Sequence, residues 1–243
     1  MKLVLLPGLD GTGELFAPLL AALRGTDCQV IAYPPDREMD YAGHEAHARQ
    51  QLPRDDYILL AESFSGPVGV SIAASAPQNL RGLILCCSFA SNPLPLFGPL
   101  TRLVGAFPAT KLPPRLLVPF LYAGHSTPEL RRAHAQAMAK VSARALRGRV
   151  ASILGVDHSQ LLRHIKAPML YLLARRDRLI RRAAFNRIDR LRPDIQLQQL
   201  DGPHFLLQTL PGEAAAKIIE FCRFVKTGGH HATDAAGEPL EGR

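Results

Sequence analysis

Six short segments of the chain are marked by their apolar residues. Residues 2–6 (KLVLL), 28–33 (CQVIAY), 57–61 (YILLA), 82–87 (GLILCC) and 168–174 (PMLYLLA) are nearly unbroken runs, whereas 195–200 (IQLQQL) alternates. Gly, Pro or charged residues bound them. Unbroken runs of this length predict strands buried on both faces, and the alternating one predicts a less buried, edge-like strand. Between most of them apolar positions recur at helical spacing, over 14–24, 40–52, 66–76, 179–191 and 211–225. Strands alternating with helices predict an α/β fold, with a mostly parallel sheet of about six strands covered on both faces.

The interval 91–165 carries no strand pattern. It opens proline-rich (SNPLPLFGP, ATKLPPRLLVP) and continues with helical stretches at 128–150 and 151–164. Connections are usually a few residues, so about 75 residues between the fourth and fifth strands predict a helical lid over one end of the sheet. The expected division is a core of 1–90 and 166–225, a lid of 91–165, and a disordered tail of 226–243 (KTGGHHATDAAGEPLEGR).

Composition narrows the class. A chain of 243 residues, 47% apolar, fits one well-buried domain. No run is long enough to span a bilayer. Pro7-Gly8 stops the opening MKLVLL too early for a secretory h-region, so a cytoplasmic address is expected. Cys28, Cys86, Cys87 and Cys222 form no CxxC; the adjacent pair sits in a strand pattern, where neighbours face opposite ways, so no disulfide is expected. His44-Glu45-Ala46-His47 has i, i+3 spacing rather than HExxH and reads as a solvated helix face; no metal set and no cofactor are expected. The net charge of +8 rests on arginines such as Arg131, Arg132, Arg144, Arg147 and Arg149, and again between Arg175 and Arg192. Aromatic residues are sparse there, which argues against nucleic acid and leaves solvated helix faces or an acidic partner.

Ligand crevices of α/β sheets form at the carboxyl ends of strands. Pro7-Gly8-Leu9-Asp10-Gly11-Thr12-Gly13 follows the first strand, and Glu62-Ser63-Phe64-Ser65 the third. Arg175-Arg176-Asp177 follows 168–174, and Asp201-Gly202-Pro203-His204 follows 195–200. A Ser, an Asp and a His thus stand at three strand ends, in that order. Each also has a plain structural reading. Ser63 or Ser65 could cap the next helix. Asp177 could pair with Arg176 or Arg178, and His204 could be a turn residue.

The LLPG turn, AESFSG with its helix GPVGVSIAASAP, RGLILCCS, VDHSQLLRHIKAPMLYLLARRDRLI and the GPHF turn together resemble the α/β-hydrolase superfamily over almost all of 1–225. The resemblance implies the α/β-hydrolase fold and a triad of nucleophile Ser63, base His204 and orienting acid Asp177. It also implies an oxyanion hole from the amides of Leu9 and Phe64. No carboxylate in Cys87-Ser88-Phe89-Ala90 could replace Asp177, and the other later histidines, His230 and His231, fall in the tail. Three departures stand out: Ala61 and Ser65 replace the outer glycines of G-x-S-x-G, Pro7-Gly8 replaces His-Gly, and the family's first two strands are missing.

PGLDGTGELFAPLLAAL resembles small bacterial hydrolases and plant phytyl ester synthases, pointing to acyl ester or thioester chemistry. Leu96, Phe97, Leu100, Leu103, Phe107, Leu116, Leu117, Phe120 and Leu121 would line a lid over an apolar acyl pocket, which favours an apolar acyl group. The expected activity is therefore a serine carboxylesterase acting on a small-molecule acyl ester. Two alternatives stand beside it. One is a thioesterase, or an esterase similar to the pimeloyl-carrier-protein methyl esterases, whose partner is an acidic acyl carrier protein. The other is a non-catalytic binding protein of the same fold.

Overall fold

The computed structural model of the chain describes residues 1–93 and 119–228. All six apolar segments form strands: β1 (Lys2–Leu6), β2 (Cys28–Val30), β3 (Tyr57–Glu62), β4 (Leu80–Cys86), β5 (Met169–Ala174) and β6 (Gln196–Leu200). They make one sheet in the order β2-β1-β3-β4-β5-β6, with every neighbouring pair parallel. Burial explains the order. All six residues of β3 are buried at the centre, whereas β2 and the alternating β6 are half-buried at the edges.

The helices are α1 (Ala17–Ala22), α2 (Tyr41–Arg49), α3 (Gly66–Ala74), α4 (Pro128–Ala139), α5 (Ala143–Gly155), α6 (Arg182–Asp189), α7 (Leu206–Thr209) and α8 (Pro211–Lys226). Strand residues alternate between two cores, as a period of two requires. Leu5, Ile58, Leu60 and Ile84 pack with Leu19 of α1, Leu206 of α7 and Ile218 of α8. Val4, Leu59, Ala61 and Leu83 pack with Tyr41 of α2, Val68 of α3 and Phe185 of α6. The chain leaves β1 for β2 on one side and returns to β3 on the other. The carboxyl ends of β1 and β3 therefore flank the point where strand order reverses, which is where α/β sheets bind ligands.

Four details differ from the sequence reading. The helical pattern of 128–150 is two helices, because Ser142 starts a new one by accepting a hydrogen bond from Ala145 N at 3.1 Å. Residues 159–164 of the last stretch form a 3-10 turn, and the short α7 was not expected. His44 is not on a solvated face: it is buried against Tyr33 and Phe64, with ring centroids 4.7 and 5.0 Å away. Desolvation pushes its pKa down to about 4, so it sits neutral in the core.

The lid residues Leu96, Phe97, Leu100, Leu103, Phe107, Leu116 and Leu117 lie outside the described residues, as does the tail from 229 onward. Described parts of the insertion return to the core. Ser91 bridges Asp157 at its base, α4 packs on the 3-10 turn Glu14–Phe16, and Phe205 N donates to Leu121 O at 3.0 Å. Among the described residues all four cysteines are free thiols, and no helix is long and apolar enough to cross a membrane.

Gly66 shows how tightly α3 meets the sheet. A Cβ there would lie 1.9 Å from Ser88 Oγ and 2.5 Å from Phe89 O. Gly66→Ala is expected to destabilise the protein by about 1–3 kcal/mol through overpacking, measured as a lower urea midpoint.

Candidate active site

At the end of β3 the backbone of Ser63 turns left-handed, with φ 46°. A residue bearing a Cβ adopts this conformation at a cost of about 1–2 kcal/mol. Hydrogen bonds from three directions hold it. Ser88 Oγ donates to Ser63 O at 2.6 Å, Tyr41 Oη donates to Phe64 O at 3.1 Å, and Ser65 Oγ donates to Pro7 O at 2.5 Å. Ser88 is itself fixed by Tyr171, whose hydroxyl donates to Ser88 O at 2.6 Å and accepts from Ser88 N at 3.1 Å.

Both missing glycines now have a physical account. A Cβ at Gly69 would lie 2.8 Å from the Ala61 methyl, so the space a glycine would leave at 61 is instead left by α3. Ser65 is fully buried and makes no side-chain cap on α3. Its single proton goes to Pro7 O, so the Tyr33 hydroxyl 2.7 Å away must be the donor to Ser65 Oγ. Ser65 therefore joins the β1 turn, the Ser63 turn and Tyr33.

His204 comes from the loop between β6 and α7. Its Nε2 is 2.9 Å from Ser63 Oγ, and its Nδ1 is 2.7 Å from Asp177 Oδ2. The His204 and Asp177 side chains are buried, whereas Ser63 is partly exposed to solvent. The other oxygen of Asp177 accepts from Leu179 N and Ile180 N, each at 2.8 Å. Asp177 thus caps its own loop and holds the imidazole at once. Arg176 is not its partner: it forms an exposed pair with Asp201 at 2.6 Å. Cys87 Sγ lies with the Asp177 and His204 ligand atoms inside a 4.8 Å cluster. Burial raises the Cys87 pKa well above its ordinary value, so the thiol is a neutral neighbour of that pair.

The β1 turn closes through Gly11 N donating to Gly8 O at 3.0 Å, with Gly11 and Gly13 at φ 68° and 73°. Positive φ at both positions is what glycine permits. Leu9 lies in this turn, and the Ser65–Pro7 bond ties it to the loop bearing Phe64. Phe64 stands in the first turn of its helix, where amides lack intrahelical acceptors. Arg149 of α5 fills the space behind the turn. Fully buried, it donates to Leu9 O at 2.9 Å, Asp10 O at 2.6 Å and Pro34 O at 3.1 Å. A Cβ at Gly11 would lie 2.5 Å from the Arg149 guanidinium, which is a second reason for glycine there.

Sequence reading missed Tyr33, Ser88 and Arg149. No local pattern marks them, since their partners lie 25 to 140 residues away.

No family model and no curated protein sequence matches the chain. Solved structures do match it. A lipase-esterase related protein from Clostridium acetobutylicum superposes with TM-score 0.76 at 15% identity, covering 90% of this chain and 93% of that one. A bromoperoxidase from Bacillus anthracis gives TM-score 0.77 at 13% identity, with 91% of each chain covered. An enol-lactonase from Burkholderia xenovorans gives 0.69 at 15% identity, again covering 91% of each. At such identities the likeness concerns the fold: the chain has the α/β-hydrolase fold.

Ser65 is testable apart from any chemistry. Ser65→Ala leaves Pro7 O and the Tyr33 hydroxyl unpaired and is expected to cost about 1–3 kcal/mol. In a double-mutant cycle with Tyr33→Phe, the second substitution should cost less than it does alone, measured by urea unfolding.

Proposed function

We propose that the protein is a serine hydrolase cleaving carboxylic esters with an apolar acyl group through an acyl-enzyme on Ser63. One observation carries this reading: Ser63 stands at φ 46° with Oγ 2.9 Å from His204 Nε2, and His204 Nδ1 stands 2.7 Å from Asp177 Oδ2. A neutral serine is a weak nucleophile, and a base within hydrogen-bond reach activates it. His204 Nε2 takes the Ser63 proton as Oγ attacks the carbonyl carbon, and the imidazolium then hands it to the departing alcohol. Water then attacks the acyl carbon while giving a proton to His204, and His204 returns that proton to Ser63 Oγ as the acyl–oxygen bond breaks and the acid leaves. Asp177 fixes the tautomer with its proton on Nδ1 and stabilises the imidazolium without taking that proton. The amides of Leu9 and Phe64 serve the oxyanion. The insertion 91–165 acts as the lid and supplies an apolar wall.

The fold alone leaves the chemistry open, as a lactonase and a bromoperoxidase among its neighbours illustrate. Geometry at Ser63 favours acyl transfer over a purely binding role. The expected result is turnover of p-nitrophenyl esters that improves with acyl length. Ser63→Ala and Asp177→Asn should each lower kcat by about four orders of magnitude or more. Unchanged rates in both variants would refute the triad.

Carrier-bound acyl substrates are the second reading, motivated by the exposed Arg131 and Arg132 of α4. If it holds, turnover of an acyl group on an acidic carrier protein falls several-fold from low to physiological salt, because steering between charged surfaces is screened. A small neutral ester should not respond. Equal salt responses would remove this reading.

A further inference from the structure

Glu62 closes β3 immediately before Ser63, and its side chain is buried, at 5% exposure. One carboxylate oxygen accepts from Gln208 Nε2 of α7 at 2.9 Å. The other faces the β1 turn, 3.6 Å from where a Cβ of Gly8 would lie. One buried group thus touches both the turn carrying Leu9 and the short helix that follows His204. Removing a carboxylate from water without a cation beside it costs several kcal/mol, so packing alone would favour an apolar residue there.

We propose, resting on the hydrolase reading above, that Glu62 is a positioning residue: it ties the Gly8 turn to α7 and, when ionised, adds a second negative charge next to the Ser63–His204 pair. The groups around it act in both directions. His204, the Gln208 amide and the Gly8 amide favour its charge, whereas Asp10 opposes it. The thiols of Cys86 and Cys87 also face it, and burial keeps both protonated. Burial is the largest influence and pushes the Glu62 carboxyl up to about 7.

Gln208 suits both charge states. Its Oε1 is buried without a partner among the described residues. Rotating the amide would let a protonated Glu62 donate to that oxygen, so the tie survives titration while the charge does not. The stability linkage runs against keeping this residue. Its folded pKa lies above the ordinary 4.5, so its contribution is fullest at low pH and is lost as pH rises through about 7. At neutral pH and above, Glu62 costs stability, the opposite of what a purely structural residue would do.

The test is kcat/KM against pH, from about 5 to 9, for wild type, Glu62→Gln and Gln208→Leu on one p-nitrophenyl ester. Glu62→Gln keeps the shape and, with Gln208 rotated, the hydrogen bond. It should be about tenfold slower above neutral pH, close to wild type in acid, and more stable than wild type in alkali; tenfold corresponds to about 1.4 kcal/mol of lost charge stabilisation in the transition state. Gln208→Leu leaves Glu62 in place and should move the same ionisation to higher pH, because it removes a donor that favours the charged form. It carries the test should Glu62→Gln fail to fold. Profiles that superimpose on wild type overturn the proposal. Failure of the wild type to turn over esters or to react with a fluorophosphonate would instead overturn the hydrolase reading beneath it.

Discussion

Ser63 must keep a left-handed backbone while carrying a side chain, and four separate elements converge on meeting that demand. The loop after β4 supplies Ser88, α2 supplies Tyr41, the β1 turn supplies the carbonyl that Ser65 holds, and α3 leaves room by placing glycines at 66 and 69. Each contribution is about the size of one hydrogen bond or one avoided clash, so none is decisive alone. Together they make the turn a fixed feature of the sheet. Oγ is thereby presented to His204 without a conformational change.

The same constraint reaches the insertion through Arg149. A guanidinium buried behind the β1 turn is balanced by three backbone carbonyls, with Asp10 nearby favouring its charge. Burial lowers its pKa, which reflects the cost of desolvating it. Tyr33 joins the arrangement from below, hydrogen-bonded to Ser65 and with its ring 6.0 Å from the Arg149 guanidinium carbon. Helix α5 is therefore not a detachable cover. It is part of what shapes the turn that flanks Ser63.

Much of this was legible in the sequence because it depends on local pattern. Unbroken apolar runs gave β1, β3, β4 and β5, and alternation correctly placed β6 at an edge. The strand-end rule singled out Ser63, Asp177 and His204, and the fold brings His204 within hydrogen-bond distance of each of the other two. What was not legible depends on contacts between distant residues. Nothing local separates Arg149 from the other arginines, or His44 from a surface histidine. The oddity of Ser65 was visible, but its meaning lay in Tyr33 and Pro7, 32 and 58 residues away. Glu62 stands beside the serine with no local pattern to mark a role for it, because its partner Gln208 is 146 residues further on.

The proposed hydrolase chemistry depends on Ser63 as an activated nucleophile. Peptide mapping by mass spectrometry after exposure to a fluorophosphonate tests this directly. The account predicts one covalent adduct, on Ser63, that is absent in Ser63→Ala and much slower to form in Asp177→Asn. An unmodified Ser63 in the folded protein, or an adduct on another residue with Ser63 untouched, would contradict it.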